Sequence, residues 1–138
     1  MSQLTFADPR VQDYLTSKRV VVLATSNADG SPLAMPMWFS HDTESLTFVS
    51  VDGLAKVHNV RRDPRVSIVA EGDGANGVNG LILRGQVRFL EGDALRTGAD
   101  AFRKKYSPRI DALWGGRALP DNRVVFVCSP EVVSAWGL

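Results

Sequence analysis

Several features that mark common protein classes are scarce or missing in this chain. There is a single cysteine, Cys128, among 138 residues, so no intrachain disulfide can form. Because Cys128 lies in an apolar stretch, we expect a buried side chain and not a catalytic thiol. No apolar run approaches the ~20 residues of a membrane helix, and the N-terminus lacks the basic start and apolar segment of a signal peptide. We therefore expect a soluble, cytoplasmic protein with no membrane partner.

Excess charge and histidine are also scarce, and both absences narrow the possible functions. The 16 Lys and Arg residues and 15 Asp and Glu residues leave a net charge of +1, whereas nucleic-acid binders usually carry a large positive excess. The two histidines, His41 and His58, have no cysteine or carboxylate pattern around them, so we predict no metal site. No Ser-His-Asp set or carboxylate pair stands out, so no catalytic residue is identified. The expected partner is a small molecule, not nucleic acid.

The composition and the apolar pattern predict one mostly β domain over residues 1–138. Apolar residues make up 44% and charged residues 22%, as is typical of a globular domain. Six stretches have strand patterns: 19–26, 31–42, 44–51, 65–71, 81–91 and 122–138. Helical patterns occur near residues 9–18, 54–63 and 92–106, and residues 107–121 are irregular or partly helical, whereas a parallel sheet needs a helix after nearly every strand. We predict a six-stranded antiparallel barrel with a few short helices, and a flexible glycine-rich loop at residues 72–80.

One predicted strand contains a proline, which is unusual inside a sheet. Pro36 has no N–H to donate, so its strand should lie at an edge or contain a bulge. Its neighbours Met35, Met37 and Trp38 are wide, polarisable or aromatic. They could form a wall for a flat ligand, with free backbone groups at its rim. An ordinary sheet edge with core side chains explains the same pattern.

A second feature is the basic segment at residues 54–66, LAKVHNVRRDPRV. Unpaired N–H groups at the start of its predicted helix favour an anion, and Lys56 adds a flexible positive charge there. Asn59 lies on the same flank and can donate through its amide. Ser50, at the end of the preceding strand, has a hydroxyl that could complete a phosphate site. A solvated helix face, with arginines paired to nearby carboxylates, fits the segment equally well.

Three stretches together resemble one family: the hairpin LATSNADGSP, the strand MPMWF and the segment KVHNVRRDPRVS. They are similar to the split-barrel family of pyridoxamine 5′-phosphate oxidase-like proteins, and in particular to its actinobacterial branch of F420-dependent oxidoreductases. The similarity is dense from Val20 to Val87 and looser towards the C-terminus. The resemblance implies a split β-barrel that forms a homodimer, with two cofactors at the interface.

In this family the cofactor phosphate lies against the lysine that matches Lys56, and the ring lies along the proline-containing strand. The partner subunit closes the site, and the glycine-rich loop is the segment expected to do so. Some members carry an arginine two residues before the lysine. Leu54 stands there in this chain, which speaks against a tight grip on the polyglutamate tail of F420. The candidate cofactor-binding residues are Leu33, Met35, Pro36, Met37, Trp38, Val49, Ser50, Lys56, Asn59, Arg62, Asn79 and Gly80.

The resemblance therefore implies hydride transfer from reduced F420 to a small unsaturated or conjugated substrate, with a proton from solvent or a side chain. Tyr106 and Arg84 are candidates for that side chain. One alternative is an FMN-dependent oxidase or reductase of the same fold, for which Arg61 or Arg62 should reach the phosphate. Another is a non-catalytic carrier, which would bury the ring completely.

Overall fold

The computed structural model describes residues 4–74 and 77–138, which form one antiparallel sheet with helices packed against it. The strands are β1 (Val20–Ser26), β2 (Pro32–Trp38), β3 (Ser40–His41), β4 (Leu46–Val51), β5 (Arg65–Gly74), β6 (Gly77–Phe89) and β7 (Arg123–Trp136). The helices are α1 (Pro9–Thr16), α2 (Ala55–Arg62), α3 (Gly92–Tyr106) and α4 (Arg109–Leu113). The strand order across the sheet is β2-β1-β5-β6-β7-β4-β3.

The β1–β2 hairpin shows how local sequence sets the register. Gly30 has a φ of +86°, a conformation that glycine adopts without steric cost. The Asp29 carboxylate accepts a hydrogen bond of 2.9 Å from the Ser31 N–H and closes the turn. The two strands then pair along their whole length. Since β2 stands at one end of the strand order, Pro36 lies on an edge strand, as predicted.

The sheet curls, so that β2 contacts β4 although four strands lie between them in the sheet order. The inside of the curl is the main core, with fully buried side chains that include Leu23, Phe48, Leu83 and Phe126. Cys128 belongs to this core and is fully buried, as expected. A second cluster, formed by α3 and α4, covers the outside of β4 and the end of β2. The curl therefore leaves a gap between β2 and β4, and α3 and α4 cover part of it.

The sheet has seven strands where the sequence predicts six, because residues 31–42 divide into β2 and β3 at Phe39. The Phe39 N–H donates to the Tyr106 hydroxyl at 2.8 Å, and the Phe39 carbonyl oxygen lies 2.8 Å from the same hydroxyl. A side chain of α3 thus takes the backbone groups that a neighbouring strand would otherwise bond. The rest of the prediction, a mostly β antiparallel split barrel with few helices, is confirmed.

The prediction of a flexible loop at residues 72–80 is wrong for the residues that the structure describes. β5 continues to Gly74 and β6 begins at Gly77, with Gly72 opposite Asn79 in the ladder. Residues 75–76 lie outside the described part of the chain. Glycine lowers strand propensity, but pairing with a neighbouring strand outweighs that weak local preference.

Candidate functional site

A cavity of about 350 Å³ fills the gap between β2 and β4. We call it the β2–β4 cavity. It is open on one side, and its size is within the range of small-molecule sites. It is lined by Pro36, Met37, Trp38, Val49, Ser50, Val51, Leu54, Lys56, Phe102, Ile110, Leu113, Trp114 and Arg123.

Three packed aromatic side chains, Trp38, Phe102 and Trp114, line the β2–β4 cavity, and Tyr106 packs against two of them without lining it. Trp38 and Tyr106 stack with their ring centroids 4.2 Å apart and their planes 4° from parallel. Phe102 contacts Tyr106 at 5.1 Å and Trp114 at 6.0 Å between centroids. Such packed rings are rigid and present a large apolar surface. This aromatic lining therefore suits a flat conjugated ring.

The cavity is also lined by a cation, Lys56. Lys56 is half-buried, and burial lowers the pKa of its ammonium below the usual value. In the part of the chain that the structure describes, no carboxylate pairs with Lys56. The Ser50 hydroxyl donates to the neighbouring Val51 carbonyl at 3.2 Å, although Ser50 lines the same cavity. A half-buried cation without an internal partner favours an anionic ligand, because the anion would offset the cost of burying the charge.

The arginines of the basic segment bond to groups outside the β2–β4 cavity. Arg61 pairs with Asp52 at 2.9 Å, and Arg65 pairs with Asp63 at 2.8 Å. Arg62 donates to the Ser26 carbonyl oxygen and to the side-chain oxygen of Asn59. Within the segment, only Leu54 and Lys56 line the cavity. Two arginines of the basic segment are therefore neutralised by carboxylates, and Lys56 is the cation of this segment that lines the β2–β4 cavity.

Six of the predicted cofactor-binding residues line the β2–β4 cavity together: Pro36, Met37, Trp38, Val49, Ser50 and Lys56. Leu33 and Met35 lie on β2 but do not line it. Met35 packs against the main core. The sequence pattern thus located the two strands that face each other across the cavity.

The other four predicted residues do not line this cavity. The buried Asn59 amide donates to Thr25 Oγ1 at 3.0 Å and to Asn27 Oδ1 at 2.9 Å, so it ties α2 to the end of β1. Arg62 joins the same network, as described above. Asn79 accepts a hydrogen bond of 2.5 Å from the Tyr14 hydroxyl. Gly80 lies under the Trp136 ring, with no room for a Cβ. Their roles in cofactor binding remain predictions.

The list of candidate cofactor-binding residues lacks the cavity residues that come from the C-terminal half: Phe102, Ile110, Leu113, Trp114 and Arg123. Phe102 is buried and belongs to an amphipathic pattern of α3, which reveals a packed helix face but not what the face covers. Arg123 follows an irregular stretch and has no motif around it. Only the fold brings these residues to β2 and β4.

Neither candidate proton donor, Tyr106 or Arg84, lines the β2–β4 cavity. The Tyr106 hydroxyl bonds the Phe39 backbone and lies 2.6 Å from the Arg19 carbonyl oxygen, and burial raises its pKa to about 12. Arg84 lies in a different, larger cleft of about 500 Å³ on the outer side of the sheet. We call this the outer cleft. It has no aromatic lining residue and contains Glu131 beside Arg65 and Arg84, so it suits a conjugated anion less well than the β2–β4 cavity does.

Lys105 is half-buried with its Nζ out of contact with solvent, and this environment leads to a prediction about stability. Lys105 Nζ lies 3.5 Å from the Phe39 ring centroid and has no hydrogen-bond partner among the described residues. Burial, with a smaller effect of Arg19, lowers its pKa to about 8. The unfolded chain keeps this proton up to about pH 10.4, so stability should rise between pH 8 and 10.4. Replacing Lys105 with Met should stabilise the fold by about 1–2 kcal/mol at pH 7, since the contact with Phe39 and partial solvation offset part of the penalty.

Urea denaturation at pH 7 and pH 9.5 checks this prediction. The difference between Lys105→Met and the parent should shrink at the higher pH. Lys104→Met is the matched control, because Lys104 is exposed and pairs with Asp100 at 3.0 Å. Equal effects of the two variants at both pH values would contradict the prediction.

Comparison with known proteins identifies the family of this chain. The profile of the pyridoxamine 5′-phosphate oxidase family matches residues 7–137. The chain belongs to this family. No curated protein sequence matches it significantly. The described residues contain no group of three or more His, Cys, Asp or Glu side chains that could hold a metal ion, and none of their helices is long and apolar enough to cross a membrane.

Several solved structures share the fold of this chain. The chain is 25% identical to a conserved hypothetical protein of Mycobacterium tuberculosis, with a TM-score of 0.78 over 99% of this chain and 89% of that one. It has the fold of an FAD-binding protein from Mesorhizobium loti (23% identity, TM-score 0.70, 91% and 89% of the two chains). It also has the fold of HutZ, the haem storage protein of Vibrio cholerae (17% identity, TM-score 0.74, 96% and 94%). These likenesses show the shared fold alone.

Proposed function

We propose that this protein is an F420-dependent reductase that acts on a small unsaturated or conjugated substrate. One observation carries the proposal: Lys56, a half-buried cation with no carboxylate partner among the described residues, lines the same cavity as the aromatic side chains of Trp38, Phe102 and Trp114. This arrangement fits a cofactor with a conjugated ring and a phosphate. The resemblance of the basic segment to the F420-dependent branch supports the choice of deazaflavin.

The arginines of the basic segment do not make the phosphate contact that we expect of an FMN site. FMN ends in a phosphate monoester, which carries up to two charges, so we expect an FMN site to bring a second cation of the basic segment to the phosphate. Arg61 is held by Asp52 and Arg62 by the Ser26 carbonyl oxygen, and neither lines the cavity. The phosphodiester of F420 carries one charge and needs only Lys56 from this segment.

The chain's own residues would bind and orient the cofactor. Trp38 would support one face of the ring, and Pro36 leaves the β2 edge without one backbone donor. When bound, F420 would supply a hydride to the substrate, and water at the open mouth would supply the proton that completes the two-electron reduction. We also propose a homodimer in which the partner subunit covers the open side, with Asn79 and Gly80 near that contact.

Titration of the purified protein with F420 and with FMN, followed by tryptophan fluorescence, tests the proposal. We expect micromolar or tighter binding of F420, much weaker binding of FMN, and quenching that is largely lost in Trp38→Phe. Preference for FMN would assign the protein to the flavin-dependent members, and failure to bind either would refute the cofactor site. Binding of F420 without reduction of any conjugated acceptor would favour a carrier.

A further inference from the structure

The β2–β4 cavity has a second cation that the basic segment does not provide. Arg123 begins β7, opposite Val51 in the β4–β7 ladder, and lines the cavity together with Lys56. Its guanidinium donates to the side-chain oxygen of Asn122, which is neutral. No carboxylate pairs with it within residues 4–74 and 77–138. Two cations from different elements thus meet one cavity without an internal counter-charge.

Asp52 is a carboxylate close to the start of β7, and its bonds go to groups other than Lys56 and Arg123. Asp52 stands between β4 and α2, and its N–H donates to the Asn122 carbonyl oxygen at 2.8 Å, which fixes it beside the start of β7. Its carboxylate accepts from Arg61 at 2.9 Å and from the Gly53 N–H at 2.9 Å. Arg61 itself does not line the cavity. The pair of Arg61 and Asp52 therefore leaves the charges of Lys56 and Arg123 available to a ligand.

We propose that Arg123 binds an anionic group on the tail of the cofactor, beyond the phosphate that Lys56 binds, and that Arg61 keeps this subsite open by holding Asp52. The inference rests on the proposed F420 site. Leu54 stands where some relatives of this branch have an arginine, and Arg123 supplies a positive charge to the same cavity from another strand. A guanidinium suits carboxylate oxygens, which it can bind through two parallel hydrogen bonds.

Binding of two different ligands distinguishes the role of Lys56 from that of Arg123. Full-length F420 carries the tail, whereas the deazaflavin 5′-phosphate keeps the ring and phosphate and lacks the tail. Arg123→Gln should raise the Kd of F420 about 10-fold and leave the Kd of the deazaflavin 5′-phosphate unchanged. Lys56→Gln should weaken both ligands. Arg96→Gln, which removes an exposed charge paired with Asp93 outside the cavity, should change neither.

The role of Arg61 has its own test, which does not depend on altering Arg123. Arg61→Gln should weaken F420 binding about 3- to 10-fold, because Asp52 is then free to pair with a cavity cation. Adding Asp52→Asn to that variant should restore the affinity. Circular dichroism and the Tm show whether each variant is folded.

Each outcome of these titrations decides a different point. If Arg123→Gln binds F420 as tightly as Arg96→Gln does, or weakens both ligands equally, the tail subsite is refuted while the F420 site stands. A failure of Asp52→Asn to rescue Arg61→Gln refutes the positioning role of Arg61. If the parent protein binds neither deazaflavin, the proposed function itself fails.

Discussion

Replacing Lys56 with glutamine should weaken F420 binding by about 10- to 100-fold. Glutamine keeps much of the length of lysine and removes the charge. A hydrogen bond that involves a charged group contributes about 1.5–3 kcal/mol, and each 1.4 kcal/mol is about tenfold in Kd. The effect should lie near the upper end, because Lys56 is half-buried and no carboxylate among the described residues would compete for it. Isothermal titration of F420 measures the change directly.

Two comparisons make the Lys56 result specific. Lys104→Gln removes a lysine charge from an exposed ion pair on α3 and should leave the Kd unchanged. The Lys56 variant should also keep its affinity for a deazaflavin that has neither phosphate nor tail, since the aromatic lining is intact. Equal loss of affinity for that uncharged ligand would show that Lys56 supports the fold of the cavity and does not bind the phosphate.

Replacing Gly85 with alanine should destabilise the protein by about 2–3 kcal/mol. Gly85 lies at a register shift between β6 and β7, and a Cβ there would stand 2.6 Å from the Ser129 carbonyl oxygen and 3.2 Å from the Pro130 Cα. Both are backbone atoms, so the two central strands would have to separate. For a chain of this length the Tm should fall by about 6–12 °C in a thermal melt.

Gly98 provides the contrasting substitution. It lies inside α3, where a Cβ would come within 3.1 Å of only the end of the Leu90 side chain. That side chain can move, and alanine favours a helix over glycine by about 1 kcal/mol, so Gly98→Ala should be neutral or slightly stabilising. If Gly85→Ala melts at the same temperature as Gly98→Ala, the close approach of β6 and β7 is not a constraint on the fold.

Much of the fold follows from the sequence, because alternation, turns and helix ends are local signals. The hairpin at Asp29 and Gly30, the edge position of Pro36 and the extent of α3 were all predictable in this way. The division of one predicted strand at Phe39 was not, since it depends on the Tyr106 hydroxyl, 67 residues away. The glycine-rich hairpin was missed for a related reason: its order comes from strand pairing and not from local propensity.

The candidate site likewise has a part that local sequence predicts and a part that depends on the fold. The residues of β2, β4 and α2 lie in one stretch with a recognisable pattern, and six of the candidate residues named from it line the cavity. Composition could not reveal that Arg61 and Arg65 are neutralised by Asp52 and Asp63, because ion pairing depends on side-chain positions. Nor could it reveal Arg123, which reaches the cavity only through the pairing of β7 with β4.

A crystal structure of the protein with F420 bound tests the central claim most directly. We expect the ring against Trp38 in the β2–β4 cavity and a phosphate oxygen within about 3 Å of Lys56 Nζ. A cofactor seated instead in the outer cleft, with its phosphate on Arg65 or Arg84 and with Lys56 facing solvent, would contradict the assignment of the site.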